Sequence, residues 1–219
     1  MSLPTFIFDL DGVIASTEKF HYSAWRETCL SFGYDLTAEK NDYLKGISRT
    51  ASLKLILGWS NTEISNEKFE EVLRDKNELY LNLLMNLNSD DIILGVDTFI
   101  ITAKEKNHKI ALCSSSKNAK FILEKLDIIK LFDVIVDGND VEKSKPNPEG
   151  FSLAAKLSNT NSENCVVFED SEAGVSAANQ IDMYTVGIGT SEKLNIANRV
   201  CENFKEIRLD EDYSDLLLK

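Results

Sequence analysis

Residues 5–17 read TFIFDLDGVIAST. Four apolar or β-prone residues run directly into Asp9, Leu10, Asp11 and Gly12, so what reads as a buried strand ends in two carboxylates one residue apart. The same pattern recurs along the chain. KIALC precedes Ser114, FDVIV precedes Asp137, CVVF precedes Glu169, and YTVGIG closes the series. Helix-like segments lie between these runs, at residues 96–106, 118–126 and 148–157, with another starting near Ser171. Near-continuous apolar strands alternating with helices predict an α/β fold, a doubly wound parallel sheet covered on both faces.

One section breaks the alternation. Between about Glu18 and Leu87 the pattern is helical throughout, with Phe20, Ala24, Trp25, Thr28 and Phe32 along one face. A second stripe carries Phe69, Val72, Leu73, Lys76, Tyr80 and Leu83, and Thr37 and Ser48 are placed to cap two further helices. Some 70 helical residues exceed an ordinary connection of about 4–6 residues. The expectation is an inserted α-helical cap over residues 17–91, with 1–16 and 92–219 forming the α/β core.

Composition narrows the function classes. The 219 residues are 43% hydrophobic and 27% charged, as in a water-exposed globular chain with room for a substantial core. A net charge of −12 argues against a broad nucleic-acid-binding face or attraction to anionic membrane. No apolar run is long enough to span a bilayer, and no secretory signal is read at the start. Cys29, Cys113, Cys165 and Cys201 are scattered without a CxxC pair, which predicts buried, reduced thiols in a cytoplasmic protein.

In an open parallel sheet, ligands bind beyond the carboxyl ends of the strands. The residues that follow the strands are Asp9 and Asp11, then Ser114, Ser115, Ser116, Lys117 and Asn118, then Lys145 in SKPNP, then Glu169 and Asp170. Taken singly, a strand-end Asp is a turn residue, a serine run is a helix cap, and a Lys before Pro sits in a solvated loop. Together they suit a phosphate beside a hard cation. Asp9 and Asp170 supply oxygens for Mg2+, which keeps water and phosphate in the rest of its shell. The serines open a helix whose free N–H groups hold an anion, and Lys145 adds a point charge. A carboxylate beside the metal can then attack phosphorus.

FDLDG, ALCSSS, KPNP and VVFEDSEAG resemble the four motifs of the haloacid dehalogenase superfamily, and the helical insertion resembles its C1-type cap. FDLDGVI with the following Thr and His, LKGISR, SSSKN and EDSEAG resemble the β-phosphoglucomutases within it. The resemblance implies that Asp9 is the nucleophile and a metal ligand, and that Asp11 is the general acid/base with its carbonyl on the metal. Glu169 and Asp170 would complete the Mg2+ site, and Ser114 and Lys145 would hold the transferring phosphoryl group. Thr17 and His21 would couple cap closure to Asp11. Arg49, with Ser116, Lys117 and Asn118, would grip a distal phosphate. Trp25 and Lys76 would face the sugar, with Gly46, Ile47 and Ser52 in the same substrate-binding set.

The implied function is a Mg2+-dependent mutase interconverting β-D-glucose 1-phosphate and glucose 6-phosphate. It would act through an aspartyl phosphate and a 1,6-bisphosphate, on a small sugar phosphate and as a monomer. A sugar-phosphate phosphatase is the alternative, and a non-enzymatic phospho-acceptor switch a remote one. Ala15-Ser16 stands where close relatives often have Thr-Asp, and ILGV lacks the proline of the usual LPGV. His108, in KEKNHK, reads as a solvated turn residue.

Overall fold

The computed structural model describes residues 3–209. Strand β1 (Thr5–Phe8) is followed by four helices, α1 (Glu18–Leu30), α2 (Ala38–Asp42), α3 (Arg49–Ser60) and α4 (Asn66–Leu84). The chain then alternates through α5 (Val96–Glu105), β2 (Ile110–Cys113), α6 (Ala119–Lys125), β3 (Val134–Val136), α7 (Glu149–Leu157), β4 (Cys165–Glu169), α8 (Glu172–Asn179), β5 (Tyr184–Ile188) and β6 (Arg199–Cys201). The six strands form one parallel sheet in the order β3-β2-β1-β4-β5-β6. The doubly wound core with an inserted helical cap is the fold expected from the strand and helix pattern. Strand β6 goes beyond that reading, since the three residues RVC carry no pattern of their own.

Strand pleating explains why the runs are apolar at every position. Successive side chains point to opposite faces, and both faces are covered. Phe6 and Phe8 pack with Phe99 and Ile100 of α5 and Ile122 and Leu123 of α6. Ile7, between them, packs with Phe151 and Ala154 of α7 and Ala177 of α8. Phe8 stacks on Phe168 of β4 with ring centroids 4.7 Å apart, and Phe99 meets Phe168 edge-on at 5.2 Å. Each such buried ring contributes about 1.5–3 kcal/mol, which anchors β1, and with it Asp9, at the centre of the sheet.

The helical insertion has a core of its own, built from Trp25, Cys29, Leu36, Leu53, Ile56 and Val72. Thr37 and Ser48 cap α2 and α3 as anticipated, accepting from Lys40 N and Ala51 N. Two linkers join insertion and sheet and run side by side. Ser16 N donates to Asp91 O at 2.7 Å, and Ile93 N donates to Ile14 O at 2.9 Å. Lys19 ties the same place with an ion pair to Asp91 at 2.5 Å.

All four cysteines are buried and unpaired. His108 differs from its expected solvated state: it is half-buried, its Nδ1 lies 2.9 Å from Pro4 O, and its ring stacks on Phe6 at 4.5 Å. That partnership joins residues 104 positions apart, beyond the reach of local pattern. Among the described residues no helix is long and apolar enough to cross a membrane.

Candidate active site

Strand register brings the four motif ends together. Phe8 pairs with Leu112 on one side and Phe168 on the other, so Asp9, Ser114 and Glu169 emerge at one edge of the sheet. Lys145 arrives from the loop before α7 and is almost fully buried. Its ammonium donates to Asp9 Oδ1, to Glu169 Oε1 at 2.5 Å and to Cys113 O at 3.0 Å. An ammonium has three donors, and all three are committed. The second Glu169 oxygen accepts from Ser171 N at 2.9 Å and Ser171 Oγ at 2.8 Å. Glu169 therefore holds Lys145 and the start of α8, and both its oxygens are engaged.

Two glycines allow this density. A Cβ on Gly174 would overlap the Glu169 carboxyl, and one on Gly12, at φ +85°, would strike Asp170. The second position explains why DLD is followed by glycine: the turn is left-handed and Asp170 lies against it.

The electrostatics are lopsided. Burial, with Glu169 and Asp11 nearby, pushes the Asp9 carboxyl up against the pull of Lys145. Burial, with Glu169 and Asp9, pushes Asp170 up as well, against Lys45. Burial would lower the Lys145 ammonium, but Asp9 and Glu169 outweigh it and hold it protonated. Acid exceeds base here, as in a site that takes a cation. Among the described residues no three acid, histidine or cysteine side chains are grouped as metal ligands. The two carboxylates at this edge, Asp9 and Asp170, nonetheless suit Mg2+, which uses one or two carboxylates and fills its shell with water and phosphate oxygens.

Between this edge and the helical insertion lies a cavity of about 560 Å3. Of the residues anticipated from sequence, Asp9, Asp11, His21, Trp25, Gly46, Ile47, Arg49, Ser52, Lys76, Ser116, Lys117, Asn118 and Asp170 line it. Thr17, Ser114, Lys145 and Glu169 stand behind the wall. Ser114 Oγ accepts from Ser116 N at 3.1 Å, and Ser116 Oγ from Asn118 N at 3.2 Å, which shapes the loop opening α6. Arg49 opens α3 beyond its Ser48 cap, and its Nη1 donates to Leu73 O at 3.2 Å.

Asp11 belongs to a chain that crosses from sheet to insertion. Burial alone would raise its carboxyl, but His21 and the Thr17 hydroxyl, which donates to Oδ1, pull it below its ordinary value. His21 Nε2 lies 3.5 Å from Asp11 Oδ1, and His21 Nδ1 lies 2.9 Å from Lys76 Nζ. When protonated, Lys76 only donates, and it then makes Nδ1 the acceptor and leaves the ring proton on Nε2, facing Asp11. Burial and then Lys76 push His21 down, in keeping with a neutral ring. Burial, with Arg49, pushes Lys76 down to about 7 against the pull of Asp11. Its ammonium sits 4.9 Å from the Trp25 ring centre and 4.6 Å from that of Tyr80.

The structure adds residues the motifs do not reveal. Ser115 Oγ donates to Gly46 O at 2.7 Å, and Asn118 Nδ2 to Asn77 Oδ1 at 2.9 Å, so insertion and sheet meet across the cavity. Lys45 lies 3.2 Å from Glu18 and 3.7 Å from Asp170, while Lys193 reaches Asp42 at 2.7 Å. Asn77 follows Lys76, and Lys45 precedes Gly46. Adjacency to a recognised residue was the signal available.

A buried strand-end aspartate held by a lysine, beside the serine loop that leads into α6 and under a helical cover, forms a site that can take an anionic group next to a cation. Comparison with known proteins agrees. The haloacid dehalogenase-like hydrolase family matches residues 6–188. Beta-phosphoglucomutase of Bacillus subtilis is 36% identical over 206 residues, covering 93% of this chain and 91% of that one. A phosphorylated carbohydrates phosphatase of Thermotoga maritima is 32% identical over 174 residues, 78% of each chain. The crystal structure of beta-phosphoglucomutase from Clostridium difficile superposes with a TM-score of 0.95 at 38% identity, covering 100% of both chains. The chain belongs to the haloacid dehalogenase-like hydrolase family and is an enzyme of its mutase or phosphatase kind.

Proposed function

We propose that the protein is a β-phosphoglucomutase, interconverting β-D-glucose 1-phosphate and glucose 6-phosphate. The observation that carries this reading is a second set of cationic and polar groups lining the cavity. Arg49, with Ser116, Lys117 and Asn118, lines the same cavity as Asp9. A phosphatase needs one phosphate site, whereas a bisphosphate that must be held, turned and held again needs two. A guanidinium fork suits the second.

In this reading phospho-Asp9 gives its phosphoryl group to the C6 hydroxyl of β-glucose 1-phosphate while Asp11 takes the hydroxyl proton. The 1,6-bisphosphate reverses, its C1 phosphoryl group passes to Asp9, and Asp11 returns the proton to the sugar oxygen. Lys145 and Ser114 hold the transferring group, and Trp25, Gly46, Ile47, Ser52 and Lys76 enclose the sugar. Thr17 and His21 link Asp11 to the cap. Mg2+ would be held by Asp9, Asp170 and the Asp11 carbonyl, with Glu169 behind them, and would neutralise phosphoryl charge when bound. The paired linkers at Ile14–Ser16 and Asp91–Ile93 act as the hinge between a core of 1–16 and 92–219 and a cap of 17–91. Closure excludes water from the acyl phosphate. A small substrate enclosed by the chain's own cap needs no second subunit, and we read the enzyme as a cytoplasmic monomer.

The phosphatase relative keeps a second reading alive, in which water accepts the phosphoryl group. The two separate by product. Incubation with β-glucose 1-phosphate, Mg2+ and trace bisphosphate should yield glucose 6-phosphate in a phosphorus NMR time course. Stoichiometric inorganic phosphate without isomerisation would establish the phosphatase instead.

A further inference from the structure

Among the described residues three buried side-chain polar atoms have no hydrogen-bond partner: His21 Nε2, the Tyr80 hydroxyl and the Ser158 hydroxyl. Ser158 follows α7 at the amino edge of the sheet, where Lys109 bonds to its carbonyl. The other two meet at Asp11. His21 already has a place in the scheme above; Tyr80 has none.

Tyr80 is fully buried on α4, one turn beyond Lys76. Its ring stacks on His21 with centroids 4.0 Å apart. Its hydroxyl faces both the Thr17 hydroxyl and the Asp11 carboxylate, yet makes no aligned hydrogen bond with either. Burial and the Asp11 charge keep it a phenol. Thr17, itself fully buried, donates to Asp11. A carboxylate held there is parked against the hinge. To exchange a proton with a sugar it must turn into the cavity, which strips the Thr17 hydroxyl of its acceptor where no water reaches it.

The geometry points to Tyr80 as a positioning residue for Asp11, its hydroxyl oxygen accepting the Thr17 hydrogen bond when the Asp11 carboxylate turns to the substrate. In the arrangement seen, Thr17 is satisfied by Asp11 and the phenol oxygen is idle. In the turned arrangement the sugar hydroxyl satisfies Asp11, and Tyr80 satisfies Thr17. Without the phenol, the parked state keeps its Thr17–Asp11 bond, while the working state strands a buried donor. Tyr80 thus sets the balance between the two. Buried polar groups without partners are costly enough to decide such a balance.

The inference rests on the proton-transfer role proposed for Asp11, but holds whether sugar or water accepts the phosphoryl group. Tyr80→Phe keeps the ring and its stack on His21, so the melting temperature should stay at the wild-type value. Turnover of β-glucose 1-phosphate should fall about tenfold to a hundredfold in kcat with KM nearly unchanged. The single-turnover burst of nitrophenolate from p-nitrophenyl phosphate, whose leaving group needs no proton, should keep its wild-type rate. Adding Tyr80→Phe to Thr17→Val should cost nothing further, because no Thr17 hydroxyl remains to be satisfied. Wild-type turnover in Tyr80→Phe, equal losses in turnover and burst, or additive losses in the double variant would each overturn the assignment. If the wild type only hydrolyses sugar phosphates, the mutase reading falls, and the same Tyr80→Phe comparison on hydrolysis still decides the role of Tyr80.

Discussion

Replacing Lys76 by methionine should stabilise the fold while impairing the enzyme. The ammonium is buried with Arg49 beside it, which moves its titration from the ordinary 10.5 down to about 7. The unfolded chain binds this proton up to about pH 10.5 and the folded chain releases it near 7. Between these limits the unfolded state holds more protons, so stability from this group rises with pH. At about 1.36 kcal/mol for each pH unit, the window carries about 5 kcal/mol. Full burial leaves little solvent screening to discount it. Methionine has similar length and no charge, and relative to the neutral amine forfeits the bond to His21 Nδ1, about 1 kcal/mol. Urea unfolding of both proteins at intervals from pH 6 to 10.5 gives the comparison. The variant should be about 4 kcal/mol more stable below pH 7, with the advantage vanishing by about pH 10.5. Its sugar-phosphate turnover should fall, because His21 loses the donor that fixes its ring. A stability difference that stays flat across the window would refute the reasoning, showing that Lys76 titrates as a solvated lysine.

Arg49→Ala should reduce turnover of β-glucose 1-phosphate at least tenfold more than hydrolysis of p-nitrophenyl phosphate, as about 1.5–3 kcal/mol of charge-assisted hydrogen bonding to a distal phosphate is lost; steady-state kinetics on both substrates checks this. Gly174→Ala should destabilise by about 1–3 kcal/mol, since the new methyl overlaps the Glu169 carboxyl that braces Lys145; chemical denaturation reads it. Millimolar Mg2+ should raise the melting temperature of the wild type, and chelation should reverse the rise. Asp170→Ala should respond less, because binding stabilises only the state that holds the ion.

The strands and the acids that end them were legible because they are local events. An apolar run ending in an acid is readable within a few residues, and four such ends in order define one sheet edge. The cap was legible as helices, and Lys76 and Tyr80 fell on a correct stripe. The period alone cannot tell which part of a buried stripe faces other helices and which faces a cavity. Tyr80 therefore read only as a member of that stripe, although its ring stacks on His21 and its hydroxyl faces Asp11. Asn77 and Lys45 offered only their adjacency to Lys76 and Gly46, for a related reason. Their partners, Asn118 and Asp170, lie 41 and 125 positions away in sequence and meet them only when the cap covers the sheet. Glu169 shows the reverse case. Its motif was legible, but its bonds to Lys145 and Ser171 appear only in the folded chain.

The central claim is that Asp9 carries a phosphoryl group and hands it to a sugar. Enzyme preloaded with 32P from an acyl phosphate should hold acid-stable, base-labile label, and Asp9→Asn should hold none. Mixed with unlabelled β-glucose 1-phosphate and quenched within one turnover, the labelled enzyme should pass its 32P to the sugar bisphosphate. Label appearing directly as inorganic phosphate, with no labelled bisphosphate at any time, would contradict the account.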